Sequence, residues 1–317
     1  MRTVILPSYG PPEVLTIEEA DRPEPAAGEV LVRVEAVGLN PVEAAVRAGY
    51  FPLGGPPPLV LGWDVAGVVE AVGPDVDRFA VGDRAFGLPR FPQLARGYAE
   101  YVTAPADQLA HPPAELDAVH AAALPLVGLT AWQSLVGVAD VQPGQHVLIH
   151  AAGGGVGHIA VQLAKALGAR VTATASPGKW DFVKSLGADA VLDYRGDLAA
   201  QVQDVDVLLD PVGGDCADAS IPLVRPDGLI ISLLRHTDED DLAARIAAAG
   251  RRFAGVLVSP DAAGLEALAG LVTAGTLRVH VQQTFSFEEL PAAHRLLDSS
   301  PGTGSGTGIT GKLVAIP

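Results

Sequence analysis

The sequence predicts an α/β protein that combines a parallel sheet with a second, mainly antiparallel β domain. A short apolar run at 147–149 leads directly into a glycine-rich turn. From about residue 119 onward, apolar runs alternate with helical segments, a pattern that is typical of a parallel sheet. Before that point, short β-branched runs are separated by turns rich in proline and glycine, which indicates an antiparallel, barrel-like domain.

The glycine-rich turn at 153–157 lies between a strand and a helix. The run at 147–149 predicts a buried strand, and a second β-branched run at 170–175 predicts another. The helix between them is indicated by apolar residues at spacings of three and four, namely Val156, Ile159, Leu163 and Leu167. A strand, turn, helix and strand within about 30 residues is the unit that binds a dinucleotide.

The turn departs from G-x-G-x-x-G at its first place, where Ala152 precedes Gly154 and Gly157. Glycine allows the ligand to approach the backbone, and the helix N-terminus offers free N–H groups to phosphates. We expect Gly154, Gly155, Val156 and Gly157 to contact the pyrophosphate. The alternative is a structural turn that binds nothing.

The end of the second strand favours NADP(H) over NAD(H). An NAD site usually has an acidic residue there, but here no acid follows Thr174 before Asp181. A hydroxyl at Ser176 and a cation at Lys179 suit a 2′-phosphate. Alternatively, Ser176 caps the next helix and Lys179 is only solvated.

Further strands complete a six-stranded, Rossmann-type sheet. They are predicted at 190–192, 205–210, 229–233 and 253–258. Ligands of such sheets bind at the carboxyl ends of the strands. Candidate cofactor contacts at this edge are Tyr194 or Arg195 for the adenosine end, Val212, Gly213 and Leu233, with Ser232 as a weaker candidate.

We divide the chain into residues 1–118 (the β domain), 119–260 (the nucleotide-binding domain) and 261–317. The last segment is expected to return to the first domain. Its predicted elements are a helix at 265–272, a strand near 277–281, a second helix and a closing strand at 312–316. Two segments rich in glycine and proline or serine predict loops, at 52–58 and 299–308.

Composition excludes several functions. With 21 basic and 37 acidic side chains, the chain has a formal charge of -16, which disfavours nucleic acids and anionic membranes as partners. Cys216 is the single cysteine, so neither an intrachain disulfide nor a multi-cysteine zinc lobe is possible. No apolar run approaches the roughly 20 residues that span a bilayer. We expect a soluble, cytoplasmic protein.

Several motifs together resemble the medium-chain dehydrogenase/reductase superfamily, and within it the zinc-independent quinone oxidoreductase (zeta-crystallin-like) branch. They lie at 38–43, 61–69, 80–87, 97–101, 128–132, 152–157 and 210–214. The resemblance covers nearly the whole chain. It implies that the β domain is a GroES-like catalytic domain and that the protein is a homodimer, for which we expect the seam near 253–258.

The resemblance also indicates what this chain lacks. Zinc-dependent relatives have ligands at the places held here by Asn40, Trp63, Asp64 and approximately Leu126, and a four-cysteine lobe near 88–97. Neither an amide, an indole nor a leucine is a good zinc ligand, so we expect no metal site. Without a Lewis acid, hydride transfer is easier to an acceptor that is already electrophilic.

We therefore predict NADPH-dependent reduction of a small-molecule quinone or α,β-unsaturated carbonyl. One alternative is a stand-alone enoyl reductase of polyketide or fatty-acyl assembly. Another is an NADPH-binding protein with a sensing or structural role and no catalysis.

By resemblance, five further residues are site candidates. Asn40 is expected to contact cofactor ribose and the acceptor oxygen, or else only to start a turn. Tyr50 is expected to donate to the oxygen or to line the cleft, and Trp63 to form an apolar wall or to pack in the core. Thr130 is expected near the nicotinamide, in a helix that Leu129–Thr130 opens, or as its cap. Lys312 reaches the cofactor or is solvated.

Overall fold

The computed structural model describes residues 1–51, 53–233, 239–298 and 308–317. These residues form two compact units. One comprises residues 1–129 and 259–317, and the other comprises residues 130–258. Most of the loop predicted at 299–308, and Pro52 of the loop predicted at 52–58, lie outside the described residues.

Strands and helices are numbered here in chain order. The strands are β1 (Arg2–Leu6), β2 (Thr16–Glu19), β3 (Glu29–Leu39), β4 (Leu59–Val60), β5 (Asp64–Val72), β6 (Arg84–Gly87), β7 (Tyr101–Pro105), β8 (Leu109–Ala110), β9 (His146–Ile149), β10 (Arg170–Thr174), β11 (Ala190–Leu192), β12 (Val205–Asp210), β13 (Val224–Ser232), β14 (Arg252–Gly255), β15 (Val281–Ser286) and β16 (Lys312–Ile316). The α-helices are α1 (Pro41–Arg47), α2 (Ala118–Ala122), α3 (Pro125–Trp132), α4 (Gly155–Ala166), α5 (Trp180–Ser185), α6 (Asp215–Ser220), α7 (Glu239–Ala248), α8 (Ala262–Thr273) and α9 (Leu290–Asp298).

The first unit is the mainly antiparallel β domain that the sequence predicts. Its larger sheet has the order β15-β16-β3-β5-β6-β8, with β7 also paired to β3. All of these pairs are antiparallel except β15–β16. The long strand β3 is central because β-branched residues alternate along it and are buried against its neighbours. The C-terminal strand β16 pairs with β3, with Leu313 opposite Leu39.

The second unit contains the six-stranded sheet in the order β11-β10-β9-β12-β13-β14. Every pair in it is parallel, and the six predicted strands are all present. The strand order reverses between β9 and β12, and the carboxyl ends at this switch point are where doubly wound sheets bind ligands. The prediction of a Rossmann-type fold is confirmed.

The core of the second unit explains why β9 and β12 are nearly continuous apolar runs. Both faces of these central strands are covered, so their side chains are buried without alternation. Leu148 of β9 contributes to an apolar cluster with β12, β13, α6 and α7. The buried members are Leu148, Val202, Val205, Leu208, Ala217, Leu223, Val224, Ile230, Leu242 and Ile246.

Two strand predictions at the C-terminal side are wrong in their bounds. The strand expected near 277–281 is β15, which begins only at Val281 because its parallel partner β16 begins at Lys312. Leu277 and Val279 are buried alternately without pairing, which produced the strand pattern. The strand expected to reach residue 258 ends at Gly255, because its neighbour β13 ends opposite it at Ser232.

The helix expected to open at Leu129–Thr130 begins earlier, as α3 at Pro125. Proline suits the first helical position because its missing N–H would have no partner there. The next N–H, that of Leu126, donates to the Asp64 carboxylate over 2.7 Å. Thr130 therefore lies inside the helix and does not cap it.

Candidate functional site

The glycine turn of the second unit connects the end of β9 to the N-terminus of α4. Gly154 is the residue before the helix and has extended backbone, while Ala151 has a φ of 48°. The first N–H groups of a helix have no partner within it, so the start of α4 offers donors at the carboxyl edge of the sheet.

Close packing explains why the turn requires glycine. A Cβ on Gly157 would lie 2.4 Å from the Ala151 carbonyl oxygen and 2.6 Å from the Ala152 Cα, so only glycine lets α4 approach the strand. A Cβ on Gly153 would lie 2.8 Å from Cδ of Lys179. These contacts lie within the protein, so glycine is needed here for the close packing of α4 and of Lys179 on the turn.

Ser176 and Lys179 follow β10 on the same edge. Ser176 precedes a single 3-10 turn but makes no side-chain cap hydrogen bond, so capping does not account for its hydroxyl. Lys179 is half-buried beside the turn, and its burial lowers the pKa of the ammonium group. The end of β10 at Thr174 carries no carboxylate.

The other predicted cofactor residues also follow strand ends. Val212 and Gly213 come directly after β12, and Leu233 follows β13. The buried Asp210, which the sequence interpretation missed, organises them. Its carboxylate accepts from the N–H of Val212 (2.8 Å) and Gly213 (3.1 Å), and its carbonyl oxygen accepts from Leu233 (3.0 Å).

Tyr194 lies two residues after β11 and is 48% exposed. The guanidinium of Arg195 lies 5.5 Å from the centre of the Tyr194 ring and forms an ion pair with Asp193. Both candidates for the adenosine end thus have partners, since Arg195 lies over one face of the Tyr194 ring and its charge is paired with Asp193.

In the first unit, Asn40 and Lys312 belong to one buried polar network with Glu43 and Asp64. Asn40 is 1% exposed and precedes α1, so it starts a helix and not merely a turn. Its amide nitrogen donates to Asp64 Oδ2 (3.0 Å) and Glu43 Oε1 (3.3 Å), and its oxygen accepts from Lys312 Nζ. Lys312 is 3% exposed, so the alternative of a solvated lysine is excluded.

The two carboxyl groups of this network titrate abnormally. Burial raises the pKa of Glu43 to about 8, although the nearby Lys312 opposes the shift. Burial also raises the pKa of Asp64, and the charge of Lys312 again opposes it. Glu43 and Asp64 were not predicted as site residues, because a lone acid in a sequence gives no sign of what it faces.

Trp63 and Tyr50 have opposite surroundings. Trp63 is fully buried, its indole N–H donates to the Gln93 carbonyl oxygen over 2.7 Å, and its ring packs edge-on against Phe91. Tyr50 is 87% exposed. Of the two, Tyr50 is the side chain that a ligand in solvent can reach.

The positions that correspond to zinc ligands hold other groups. The Asn40 amide is bonded within the network, the Trp63 indole to a carbonyl oxygen, and the Leu126 side chain is aliphatic. Within residues 1–51, 53–233, 239–298 and 308–317, no group of three or more His, Cys, Asp or Glu side chains is arranged to hold a metal ion. In the same residues, no helix is long and apolar enough to cross a membrane.

Comparison with known proteins gives the family. Residues 26–114 match the alcohol dehydrogenase GroES-like domain, and residues 186–305 match the family described as zinc-binding dehydrogenase. A quinone oxidoreductase of Pseudomonas aeruginosa is 34% identical over 94% of this chain and 96% of its own length. The chain belongs to the medium-chain dehydrogenase/reductase superfamily, in its quinone oxidoreductase branch. It is thus a member of a nicotinamide-dependent oxidoreductase family.

Other relatives differ in length. A 2-haloacrylate reductase of a Burkholderia species is 33% identical over 95% of this chain and 96% of its own length. The polyketide synthase protein NorB of Streptomyces orinoci is 39% identical over 88% of this chain. This chain, however, spans only 13% of NorB.

Solved structures of the superfamily share the fold. A quinone oxidoreductase from Coxiella burnetii has a TM-score of 0.90 and 35% identity, covering 100% of this chain and 99% of its own. A mycobacterial protein solved with NADPH has a TM-score of 0.86 and 30% identity, covering 100% of both chains. The CurK enoyl reductase has a TM-score of 0.88 and 29% identity, covering 99% of this chain and 98% of its own.

Proposed function

We propose that this protein is an NADPH-dependent, zinc-independent reductase of quinones or α,β-unsaturated carbonyl compounds. One observation carries the choice of cofactor. The Lys179 side chain lies over Gly153 of the phosphate-binding turn, and no acid ends β10. A cation at this place attracts a 2′-phosphate. A carboxylate at the end of β10 would repel it, and none is present there.

The residues that would hold NADPH surround the carboxyl edge of the six-stranded sheet. The turn glycines and the start of α4 would take the pyrophosphate, and Ser176 with Lys179 would take the 2′-phosphate. Tyr194 would stack on the adenosine end, and Val212, Gly213 and Leu233 would line the remaining length. The neighbour solved with NADPH, at 30% identity, supports this cofactor. When bound, NADPH supplies a hydride.

The residues in the first unit do not fit a catalytic zinc ion. Asp64 is the one carboxylate at the positions in question, and it is already bonded to Lys312, Asn40 and the Leu126 N–H. A simple ketone becomes an alkoxide on reduction, and a metal normally stabilises that charge. A conjugated acceptor delocalises the charge itself, so it needs only positioning and a few donors.

We assign different roles to the predicted catalytic residues. Tyr50 is exposed, and we propose that its hydroxyl meets the acceptor oxygen. Trp63 is buried and would support the wall of the acceptor site. The Asn40 amide is bonded within the buried network. We propose that Asn40 contacts the cofactor ribose or the acceptor from the side of this network that faces them. Thr130, inside α3, would lie near the nicotinamide.

The test is an NADPH oxidation assay with three kinds of acceptor after treatment with EDTA. We expect turnover of 9,10-phenanthrenequinone and of methyl vinyl ketone, none of the unconjugated ketone cyclohexanone, and no loss of rate with EDTA. We also expect kcat/KM for NADPH to exceed that for NADH by roughly 10-fold or more. Reduction of cyclohexanone that EDTA abolishes would contradict the proposal.

An enoyl reductase of acyl assembly is the second candidate, favoured by the similarity to NorB and to CurK. It predicts a much higher kcat/KM for an enoyl thioester on a pantetheine carrier than for the free enone. If NADPH binds tightly and no acceptor of either class is turned over, the remaining reading is a non-catalytic NADPH-binding protein.

We further propose a homodimer in which β14, an edge strand of the six-stranded sheet, pairs with its copy. An edge strand presents unpaired N–H and C=O groups that a second copy can satisfy. Light scattering during gel filtration should give twice the mass of 32.5 kDa. The N–H of Val256 donates to the Ser232 carbonyl oxygen of β13, so the N–H of its neighbour Gly255 faces the free edge of the sheet. Replacing Gly255 by proline should give the monomer mass, because it removes this outward donor.

A further inference from the structure

Lys312 holds three separate segments of the first unit together from a buried position. It is the first residue of β16 and is 3% exposed. Its ammonium group donates to the Leu39 carbonyl oxygen (2.9 Å), to Asn40 Oδ1 and to Asp64 Oδ2 (3.2 Å). All three donors of a lysine ammonium are therefore used, and each reaches a polar oxygen.

This arrangement fixes the orientation of the Asn40 amide. Its oxygen faces the ammonium of Lys312, and its nitrogen faces the carboxyl groups of Asp64 and Glu43. The reversed amide would place its donors against the ammonium, which has no acceptor to offer. Charge alone thus excludes the flip.

Asp64 carries the same constraint to helix α3. Its Oδ2 takes the bonds from Lys312 and Asn40, while its Oδ1 accepts from the N–H of Leu126 (2.7 Å). A carboxylate at the start of a helix satisfies an N–H that has no partner within the helix and favours the positive end of the dipole. Thr130 lies one turn further along α3.

We infer that Lys312 and Asp64 are positioning residues for the reaction. Lys312 sets the Asn40 amide, and Asp64, held by Lys312, sets the start of the helix that carries Thr130. This inference rests on the proposed function, which gives Asn40 and Thr130 roles in the reaction. Neither Lys312 nor Asp64 is required to touch the cofactor or the acceptor.

Burial makes this role more specific than ordinary stabilisation. Both side chains of the ion pair are nearly inaccessible, at 3% and 0% exposure. Desolvation of two charges offsets much of their attraction, so a buried ion pair is weak evidence for stability alone. The pair instead fixes the relative positions of three segments, because it connects the C-terminal strand β16, the residue before α1 and the start of α3.

The test compares Lys312→Met and Asp64→Asn, singly and combined, with the wild type. Lys312→Met keeps the length of the side chain and removes the charge, and Asp64→Asn keeps the shape. Arg90→Met is the matched control, because it breaks a partly buried ion pair with Glu29 in the same unit, outside this network. The full chain is used throughout, at a temperature where circular dichroism shows each variant folded.

Two readouts are needed. Hydrogen–deuterium exchange of the 125–132 segment should be at least 10-fold faster in both network variants than in Arg90→Met. In the acceptor assay, kcat should fall at least 10-fold while the NADPH Kd stays within 3-fold of wild type. The double variant should be no worse than the more affected single variant, since residues that act as a unit are not additive.

Contrary outcomes are distinct. Unchanged exchange in 125–132 contradicts the link from Lys312 through Asp64 to α3. Faster exchange with a wild-type kcat also overturns the inference, because the network would then be structural only. A wild type that reduces no acceptor contradicts the proposed function instead, and the exchange readout still decides whether Lys312 and Asp64 hold α3.

Discussion

The side chain of Lys179 lies across Gly153, so close that a Cβ on this glycine would stand 2.8 Å from the lysine Cδ. The contact joins the two parts of the proposed cofactor site, since Gly153 belongs to the turn after β9 and Lys179 to the segment after β10. The lysine stem is thereby confined beside the glycine turn. Its half-burial lowers the pKa of the ammonium group.

Lys179→Ala should weaken NADPH binding and leave NADH binding nearly unchanged. A hydrogen bond to a charged group contributes about 1.5–3 kcal/mol, which corresponds to roughly a 10- to 100-fold rise in the NADPH Kd. NADH lacks the 2′-phosphate, so its Kd should change less than about 3-fold. Fluorescence titration of both nucleotides at fixed ionic strength measures the two constants.

The matched control is Lys184→Ala, which removes an exposed cation of the same segment. Lys184 lies on α5 with its ammonium 5.8 Å from the centre of the Trp180 ring. Its loss should change both dissociation constants alike and only slightly. If Lys179→Ala and Lys184→Ala had equal effects on NADPH, the position of the 2′-phosphate would have to be sought elsewhere.

Gly157→Ala should disturb the turn because there is no room for a methyl group. The added Cβ would lie 2.4 Å from the Ala151 carbonyl oxygen, and backbone cannot move as easily as a side chain. Overpacking of this kind costs about 1–3 kcal/mol, so we expect Tm to fall by roughly 3–10 °C. Gly178→Ala is the control, since a Cβ there meets nothing within 4 Å. Calorimetry that finds both variants equally stable would rule out this packing argument.

The six-stranded sheet and its turn could be predicted because their signals are local. Apolar periodicity marks each strand, and the turn glycines reflect backbone contacts only a few residues apart, as between Gly157 and Ala151. For the same reason, the bounds of Ala190–Leu192 and Val205–Asp210 agree with the predicted strands. Pairing decides the ends, which is why β14 stops at Gly255.

The buried network could not be predicted because its members are far apart in the chain. Lys312 and Asp64 are 248 positions apart, and they meet only because β16 and β5 both pair with β3. The start of α3 depends on the Asp64 carboxylate, 62 positions before Leu126. The sequence around Thr130 gives no sign of this hydrogen bond, so the predicted start of the helix at Leu129–Thr130 is wrong.

Glu43→Gln should change how stability depends on pH. Burial raises the pKa of Glu43 from 4.5 to about 8, so the folded state keeps its proton where the unfolded state has lost it. The stabilisation is complete below pH 4.5 and is lost as pH rises toward about 8. Relative to Glu43→Gln, which cannot titrate, the wild type should lose at most about 1.4 kcal/mol per pH unit in this window. Urea denaturation of both proteins at several pH values measures the difference, and parallel curves would count against the shift.

His294 should give the opposite dependence at lower pH. It is buried, its Nε2 lies 3.1 Å from the Tyr98 hydroxyl, and burial together with the charge of Arg47 lowers its pKa from 6.5 to about 3. Between about pH 3 and 6.5, the His294 imidazole is therefore protonated in the unfolded state and neutral in the folded state. This contribution to stability is complete above pH 6.5 and is lost as pH falls toward about 3. Relative to His294→Gln, the wild type should lose up to about 1.4 kcal/mol per pH unit on acidification.

The pKa shifts of Glu43 and His294 change the free energy of unfolding in opposite directions as pH rises. Between pH 4.5 and 6.5, the differences between the wild type and each of the two variants should therefore change with pH in opposite directions. A common direction would show that at least one of the two shifts is wrongly assigned.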